Sequence, residues 1–347
     1  MPEIRELRRT LARVAERWRD PDYEPRAAAV EETLAAPNRF TEEALAFAVN
    51  QQMALVTPDA LDAWLGDAAE SSAYVGVLNA GNVPFAGLQD LLAVLGMGHR
   101  YCGVVSSKSP ALIPAFIDDV LAERGDIPAE VLSYDEMLRT ASAVIATGSD
   151  ETRDAVSQGL DEAGIPAERR LLRGQRVGVA VIDGRETDED REGLAEDILL
   201  HEGLGCRNVA VVWAPRDLSP DSYLDAMAAF RGVFPAHEKT PGSLKMHQAM
   251  LAAVEHPHAY GEGLEFLVSK GPPEVQIPGH VRWSEYDDLA EVNAWVESER
   301  ERLQVVVARP QLHGRISTTA EVVKPGESQR PSIDWRADGI DTVAFLR

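Results

Sequence analysis

Tyr74-Val75-Gly76-Val77-Leu78-Asn79 is a short apolar run, and Ala80-Gly81-Asn82-Val83-Pro84 breaks it. Residues 85–97 are apolar enough for a buried helix, and Tyr101-Cys102-Gly103-Val104-Val105 is a second short apolar run. Strand, turn, helix and strand within about 30 residues make a βαβ unit, with parallel strands joined by a right-handed crossover. Downstream the alternation continues. Helices are expected over residues 110–124, 150–163, 189–201, 220–230, 242–254 and 287–302. Strands are expected over 143–146, 176–182, 208–213, 265–268 and 304–308. A Gly/Pro-rich stretch then precedes Asp341-Thr342-Val343-Ala344-Phe345. Upstream, residues 1–70 read as helices: Ile4, Leu7, Leu11 and Val14 fall at helical spacing, and Thr41-Glu42-Glu43 supplies a cap with early acids. Strands alternating with helices predict an α/β protein.

The charge balance narrows the function classes. The chain has 57 Asp and Glu against 34 Lys and Arg, a net charge of −23. Such a surface repels phosphate backbones, and no basic patch offsets it, so nucleic acid is excluded as a partner. Lys108, Lys239, Lys245, Lys270 and Lys324 are the only lysines; the other basic residues are Arg. The two cysteines, Cys102 and Cys206, make neither a disulfide framework nor a cysteine-based zinc site. Met1-Pro2-Glu3-Ile4-Arg5 lacks the apolar core of a signal peptide, and no apolar run reaches the ~20 residues of a membrane span. A cytoplasmic protein with no membrane span is expected.

Three segments can carry chemistry. In Gly203-Leu204-Gly205-Cys206-Arg207-Asn208-Val209 a cysteine stands between glycines and a strand, where open backbone lets a substrate approach. Arg207 can favour its thiolate; the plainer alternative is an ordinary buried cysteine. Cys102, inside an apolar strand, reads as core. Asn82 leaves a strand at the carboxyl end, where α/β sheets build their sites, and its amide can donate to an oxyanion; the alternative is a simple Gly-Asn turn. Thr147-Gly148-Ser149 joins a strand to a helix whose first amides can hold a pyrophosphate. The alternative there is an ordinary helix cap, and no G-x-G-x-x-G fingerprint accompanies it. His201, five residues before Cys206, is a candidate to orient or protonate a group near the site. The chain contains no H-E-x-x-H, no G-x-S-x-G elbow and no P-loop, and no metal site is expected.

Together these segments resemble the acyl-CoA reductase family related to the bacterial bioluminescence fatty-acid reductase, within the aldehyde dehydrogenase superfamily. The matching stretches are residues 78–84, Ser106-Ser107-Lys108, Ala146-Thr147-Gly148-Ser149 and residues 203–209, with Gln329-Arg330-Pro331 and Ala337-Asp338-Gly339-Ile340-Asp341-Thr342 near the C-terminus. The resemblance implies an aldehyde-dehydrogenase-like fold. A Rossmann-type cofactor domain would comprise residues 1–175 and 305–347, including the helical region 1–70. An α/β catalytic domain would span 176–304 and carry the nucleophile Cys206. Asn82 would be the oxyanion donor. Thr147, Gly148, Ser149 and Lys108 would contact NADPH, with NADH as the alternative, because Val104 stands where the family places a ribose-binding lysine.

The implied reaction is NAD(P)H-dependent reduction of an acyl-CoA or acyl-carrier thioester to an aldehyde through acyl-Cys206. The alternatives are a CoA-acylating aldehyde dehydrogenase running oxidatively and a catalytically silent scaffold. A homo-oligomer or an acyl-transferase partner is implied as well. Residues 171–176, where oxidative relatives carry a water-activating glutamate, contain no carboxylate, which favours reduction. Both ligands being anionic, Arg153, Arg173, Arg176 and Arg207 are the basic residues expected to receive phosphates.

Overall fold

The computed structural model describes residues 2–347. The chain divides into two compact units, one formed by residues up to Gln175 together with Ser332–Arg347, the other by Arg176–Pro331.

The first unit begins with four helices, α1 (Pro2–Arg17), α2 (Glu24–Ala35), α3 (Glu42–Leu55) and α4 (Pro58–Leu65). Thr41 and Thr57 cap α3 and α4 by accepting from the Ala44 and Ala60 amides. Then come β1 (Tyr74–Leu78), α5 (Leu88–Gly96), β2 (Arg100–Val104), α6 (Leu112–Glu123), β3 (Ala129–Val131), α7 (Tyr134–Thr140), β4 (Ala143–Thr147), α8 (Asp150–Glu162) and β5 (Arg170–Arg173). All five strands are parallel, in the order β3-β2-β1-β4-β5. Parallel pairing is what the βαβ reading predicts, and a Rossmann-type sheet is what the resemblance implied. The order reverses between β1 and β4, so the loops leaving those strands flank the crevice where such sheets bind ligands.

The core under this crevice is aromatic. Trp18, just after α1, meets Phe85 and Phe116 edge-to-face at 5.6 and 5.5 Å. Its indole N–H donates to the buried Asp119 carboxylate at 2.9 Å. Phe85 is only 1% exposed and has φ +58°, so α5 begins at Leu88 rather than at residue 85. A left-handed phenylalanine costs about 1–3 kcal/mol and persists only where packing over-determines it.

The second unit contains β6 (Val177–Val181), α9 (Asp188–Leu199), β7 (Val209–Pro215), α10 (Asp221–Val233), α11 (Thr240–Ala253), β8 (His258–Tyr260), β9 (Leu267–Lys270), β10 (His280–Tyr286), α12 (Leu289–Ser298), β11 (Leu303–Ala308), α13 (Pro310–His313) and β12 (Glu321–Val323). The sheet order is β12-β11-β6-β7-β10-β9-β8, parallel except for the β8–β9 edge. The chain re-enters the first unit at Ser332, not near residue 305. The reason is strand pairing: β11 lies beside β6, and all six of its residues are buried in the second sheet. Back in the first unit, residues 341–345 form α14 (Thr342–Phe345), capped by Asp341. Among the described residues no helix is long and apolar enough to cross a membrane.

Candidate active site

In the first unit the expected residues gather at one end of the sheet. Asn82 lies on the turn after β1, Thr147 ends β4, and Gly148-Ser149 leads into α8. Ser149 caps α8, its Oγ accepting from the Thr152 amide. The amides of the first helical turn have no intrahelical carbonyl and face the loop side, the arrangement that receives a phosphate. A Cβ on Gly81 would stand 2.1 Å from Ser106 Oγ and 3.1 Å from Lys108 Cβ, so the Asn82 turn and the Ser106-Ser107-Lys108 turn touch. Lys108 itself is exposed.

Asn79 stitches this end together. Its amide N–H donates to Val104 O at 2.9 Å and its Nδ2 to Tyr101 Oη at 2.9 Å. Gly87, at φ +97°, must be glycine, because a Cβ there would fall 1.9 Å from Asn79 Oδ1.

Beneath the Thr147 turn lies an ion pair that no motif announced. Arg173, ending β5, forks onto Asp90 of α5 at 2.7 and 3.0 Å, with side chains 4% and 6% exposed. It also donates to Thr342 Oγ1 at 2.7 Å and Thr147 Oγ1 at 3.3 Å. Arg173 is therefore a support for the turn rather than the phosphate ligand expected from the sequence. The carboxylate-free stretch 171–176 is also reached from elsewhere. The Gly174 amide donates to Asp338 at 3.2 Å and the Gln175 amide to Asp150 at 3.1 Å.

In the second unit the cysteine segment is built on strain. Helix α9 stops at Leu199, two residues before the expected end. His201, Glu202 and Gly203 then follow with φ of 55°, 58° and 70°, one left-handed turn containing two non-glycine residues. Glu202 is buried and held by Arg231 at 2.9 Å and by the Thr240 hydroxyl. Gly203 lies against the next loop: a Cβ there would meet the Gly279 amide at 3.0 Å. Burial pushes the His201 imidazole down to about 4, so it is neutral at pH 7.

After this turn, Cys206 is partly exposed, whereas Cys102 is buried in β2 and burial pushes its thiol up to about 11. The flanking residues turn inward. Arg207 donates to Ser328 O and pairs with Glu321 at 2.8 Å, so its charge is committed there. Asn208 accepts from the Gly205 amide at 2.8 Å and donates to Leu200 O at 2.8 Å. Arg153 pairs with Asp150 and Asp154, and Arg176 donates to Leu303 O. Among the described residues no cluster of side chains is suited to a metal ion.

No protein-family model matches the chain, and no curated protein matches it. Solved structures do. An oxidoreductase from Marinobacter aquaeolei aligns with TM-score 0.75 at 12% identity, over 98% of this chain and 81% of that one. A NAD-dependent benzaldehyde dehydrogenase from Corynebacterium glutamicum aligns with TM-score 0.68 at 14% identity, over 95% and 84%. A putative aldehyde dehydrogenase from Burkholderia cenocepacia aligns with TM-score 0.67 at 14% identity, over 93% and 79%. The chain has the aldehyde dehydrogenase fold. At these identities the likeness speaks for the fold, as the resemblance in the sequence implied.

Proposed function

We propose that the protein is an NAD(P)H-dependent oxidoreductase that reduces an acyl thioester to an aldehyde through acyl-Cys206. The observation that carries this reading is Cys206 itself: a partly exposed thiol that closely follows three successive left-handed residues, His201 to Gly203. Thiolate suits both halves of the reaction, attacking the thioester carbonyl as CoA or a carrier thiol leaves, and departing when the thiohemiacetal collapses.

The residues fit a nicotinamide dinucleotide. Gly148 and the capped start of α8 stand at the crevice of a Rossmann-type sheet, and Lys108 is an exposed cation beside the Asn82 turn. In the proposal Thr147, Gly148, Ser149 and Lys108 hold the dinucleotide, which supplies the hydride when bound. Asn82 donates to the developing oxyanion. His201, being neutral and buried, is not the source of a proton at pH 7. NADPH is the expected reductant.

The named aldehyde dehydrogenases among the structural neighbours favour testing the oxidative direction too. Incubation with acyl-CoA and no reductant is expected to leave one acyl group on Cys206, read by intact mass. Cys206→Ala is expected to take up none and to form no aldehyde from acyl-CoA and NADPH. Normal aldehyde production by that variant overturns the proposal. Faster turnover of aldehyde, NAD(P) and CoA than of acyl-CoA and NAD(P)H would assign the oxidative direction instead.

A further inference from the structure

Helix α9, the turn carrying Cys206 and the segment 324–329 after β12 are joined by one closed set of hydrogen bonds. Asp197 of α9 is wholly buried, and so is Ser328. The Asp197 carboxylate accepts from three donors on the segment: the Ser328 amide at 3.0 Å, the Ser328 hydroxyl at 2.7 Å and the Gly326 amide at 2.8 Å. The segment lies directly on the helix, since a Cβ on Gly193 would meet the Gly326 nitrogen at 2.7 Å. Ser328 returns its carbonyl to Arg207, the residue after Cys206. Asn208 closes the ring by donating to Asp197 O at 3.1 Å while accepting from the Gly205 amide, the residue before Cys206. Cys206 is thus bracketed by Arg207, which reaches the Asp197 carboxylate through Ser328, and by Asn208, which reaches the main-chain carbonyl of Asp197.

We propose that Asp197 is a positioning residue for Cys206: its ionised carboxylate locks segment 324–329 onto α9, and that segment, through Arg207, sets the cysteine turn. Protonation weakens the lock. This deepens the reading of Cys206 as the acylated residue and rests on it. The chemistry of the partners carries the inference. All three groups facing the carboxylate arrive as donors; its charge strengthens each bond, and protonation removes that charge and adds an O–H among groups that already donate.

Burial pushes the Asp197 carboxyl up to about 7, against the pull of the Ser328 and Gly326 donors, so the change of state falls near neutral pH. The charged groups around it are accounted for. Glu196 on the same helix raises the Asp197 value and is itself paired with Arg330. Lys324 and Glu327 of the segment pair with each other, and Arg207 pairs with Glu321 of β12.

The test compares wild type, Asp197→Asn and Ser328→Ala from about pH 6 to about pH 8.5, the interval that spans this titration. The readouts are kcat with acyl-CoA and NADPH, and alkylation of Cys206 by iodoacetamide, read by mass. Thiol titration is common to all three proteins, so the wild-type-to-variant ratio isolates Asp197. The loss of hydrogen bonds to a charged group predicts that Asp197→Asn falls about tenfold in kcat at the alkaline end and stays within about twofold of wild type at the acid end. The alkylation ratio is expected to step over the same interval. Ser328→Ala keeps the carboxylate and its pH step, and loses about threefold at the alkaline end. An Asp197→Asn profile superimposable on wild type overturns the proposal. If Asp197→Asn does not fold, a Ser328→Ala protein with wild-type kcat and alkylation overturns it equally. Failure of the Cys206 reading looks different: wild type would form no acyl adduct, while the alkylation ratio would still step with pH.

Discussion

Removing Asp90 tests the support beneath the proposed cofactor turn. Asp90 and Arg173 meet through two hydrogen bonds of 2.7 and 3.0 Å with both side chains almost fully enclosed. Asp90→Ala removes both of these charge-assisted bonds from the buried Arg173 guanidinium, which still donates to the hydroxyls of Thr342 and Thr147. Breaking one side of a buried pair costs about 3–5 kcal/mol, because the buried charge loses the partner that offset its desolvation. In a unit of this size each kcal/mol lowers Tm by about 2–4 °C, so a fall of roughly 6–20 °C is expected by calorimetry. The double variant Asp90→Leu/Arg173→Met removes both charges and is expected to recover most of the loss, since apolar replacement of a buried pair is often neutral or stabilising. Below the new Tm, NADPH binding by isothermal titration is expected to weaken in Asp90→Ala, because Arg173, no longer fixed by Asp90, holds Thr147 at the end of β4 less firmly. An Asp90→Ala protein within about 1 kcal/mol of wild type would refute the reasoning.

Two further outcomes are expected. Phe85→Ala removes a ring enclosed by Trp18 and Phe116 at 5.6 and 6.2 Å, and is expected to cost about 3–5 kcal/mol in urea unfolding. It should also lower kcat with acyl-CoA, since Phe85 anchors the turn that presents Asn82 to the oxyanion; unchanged stability would show that the ring does not hold the turn. With a net charge of −23 and Arg153, Arg173 and Arg207 committed to carboxylates, capture of anionic ligands is expected to be slowed by long-range repulsion. Activity at subsaturating acyl-CoA should therefore rise as ionic strength increases from about 10 to 150 mM, as the Debye length shrinks toward 8 Å. A monotonic fall in kcat/KM would count against this.

The legible parts of the fold are those with local causes. The βαβ unit around residues 74–105 shows in apolar runs broken by Gly81, Asn82 and Pro84. The start of α8 shows in Ser149 before Asp150 and Glu151. Strand β10 was not legible. It carries His280, Arg282 and Ser284, residues that argue against a buried strand, yet it runs between β7 and β9. Its polar groups find partners only across the fold: His280 with Ser269 at 2.7 Å, Arg282 with Lys270 O at 3.0 Å and Ser284 with Gly271 O at 2.8 Å. Helix α9 ends at Leu199, two residues before its sequence pattern does, for a similar reason. The left-handed turn at His201 and Glu202 is held by Arg231 and Thr240, about 30 and 40 residues away, which no local pattern reveals.

By itself the sequence determined the alternating parallel layers, the break after β1, the glycine-flanked Cys206 and the capped turn at Ser149. These depend on periodicity, backbone freedom and capping within a few residues of one another. Only the tertiary structure decided what the charged side chains do. An arginine next to a cysteine or at the end of a strand can turn toward a ligand or into the protein, and the choice depends on which carboxylate the fold brings within reach. Here Arg207 found Glu321 and Arg173 found Asp90, partners distant in the chain, because burying a guanidinium requires a matching charge.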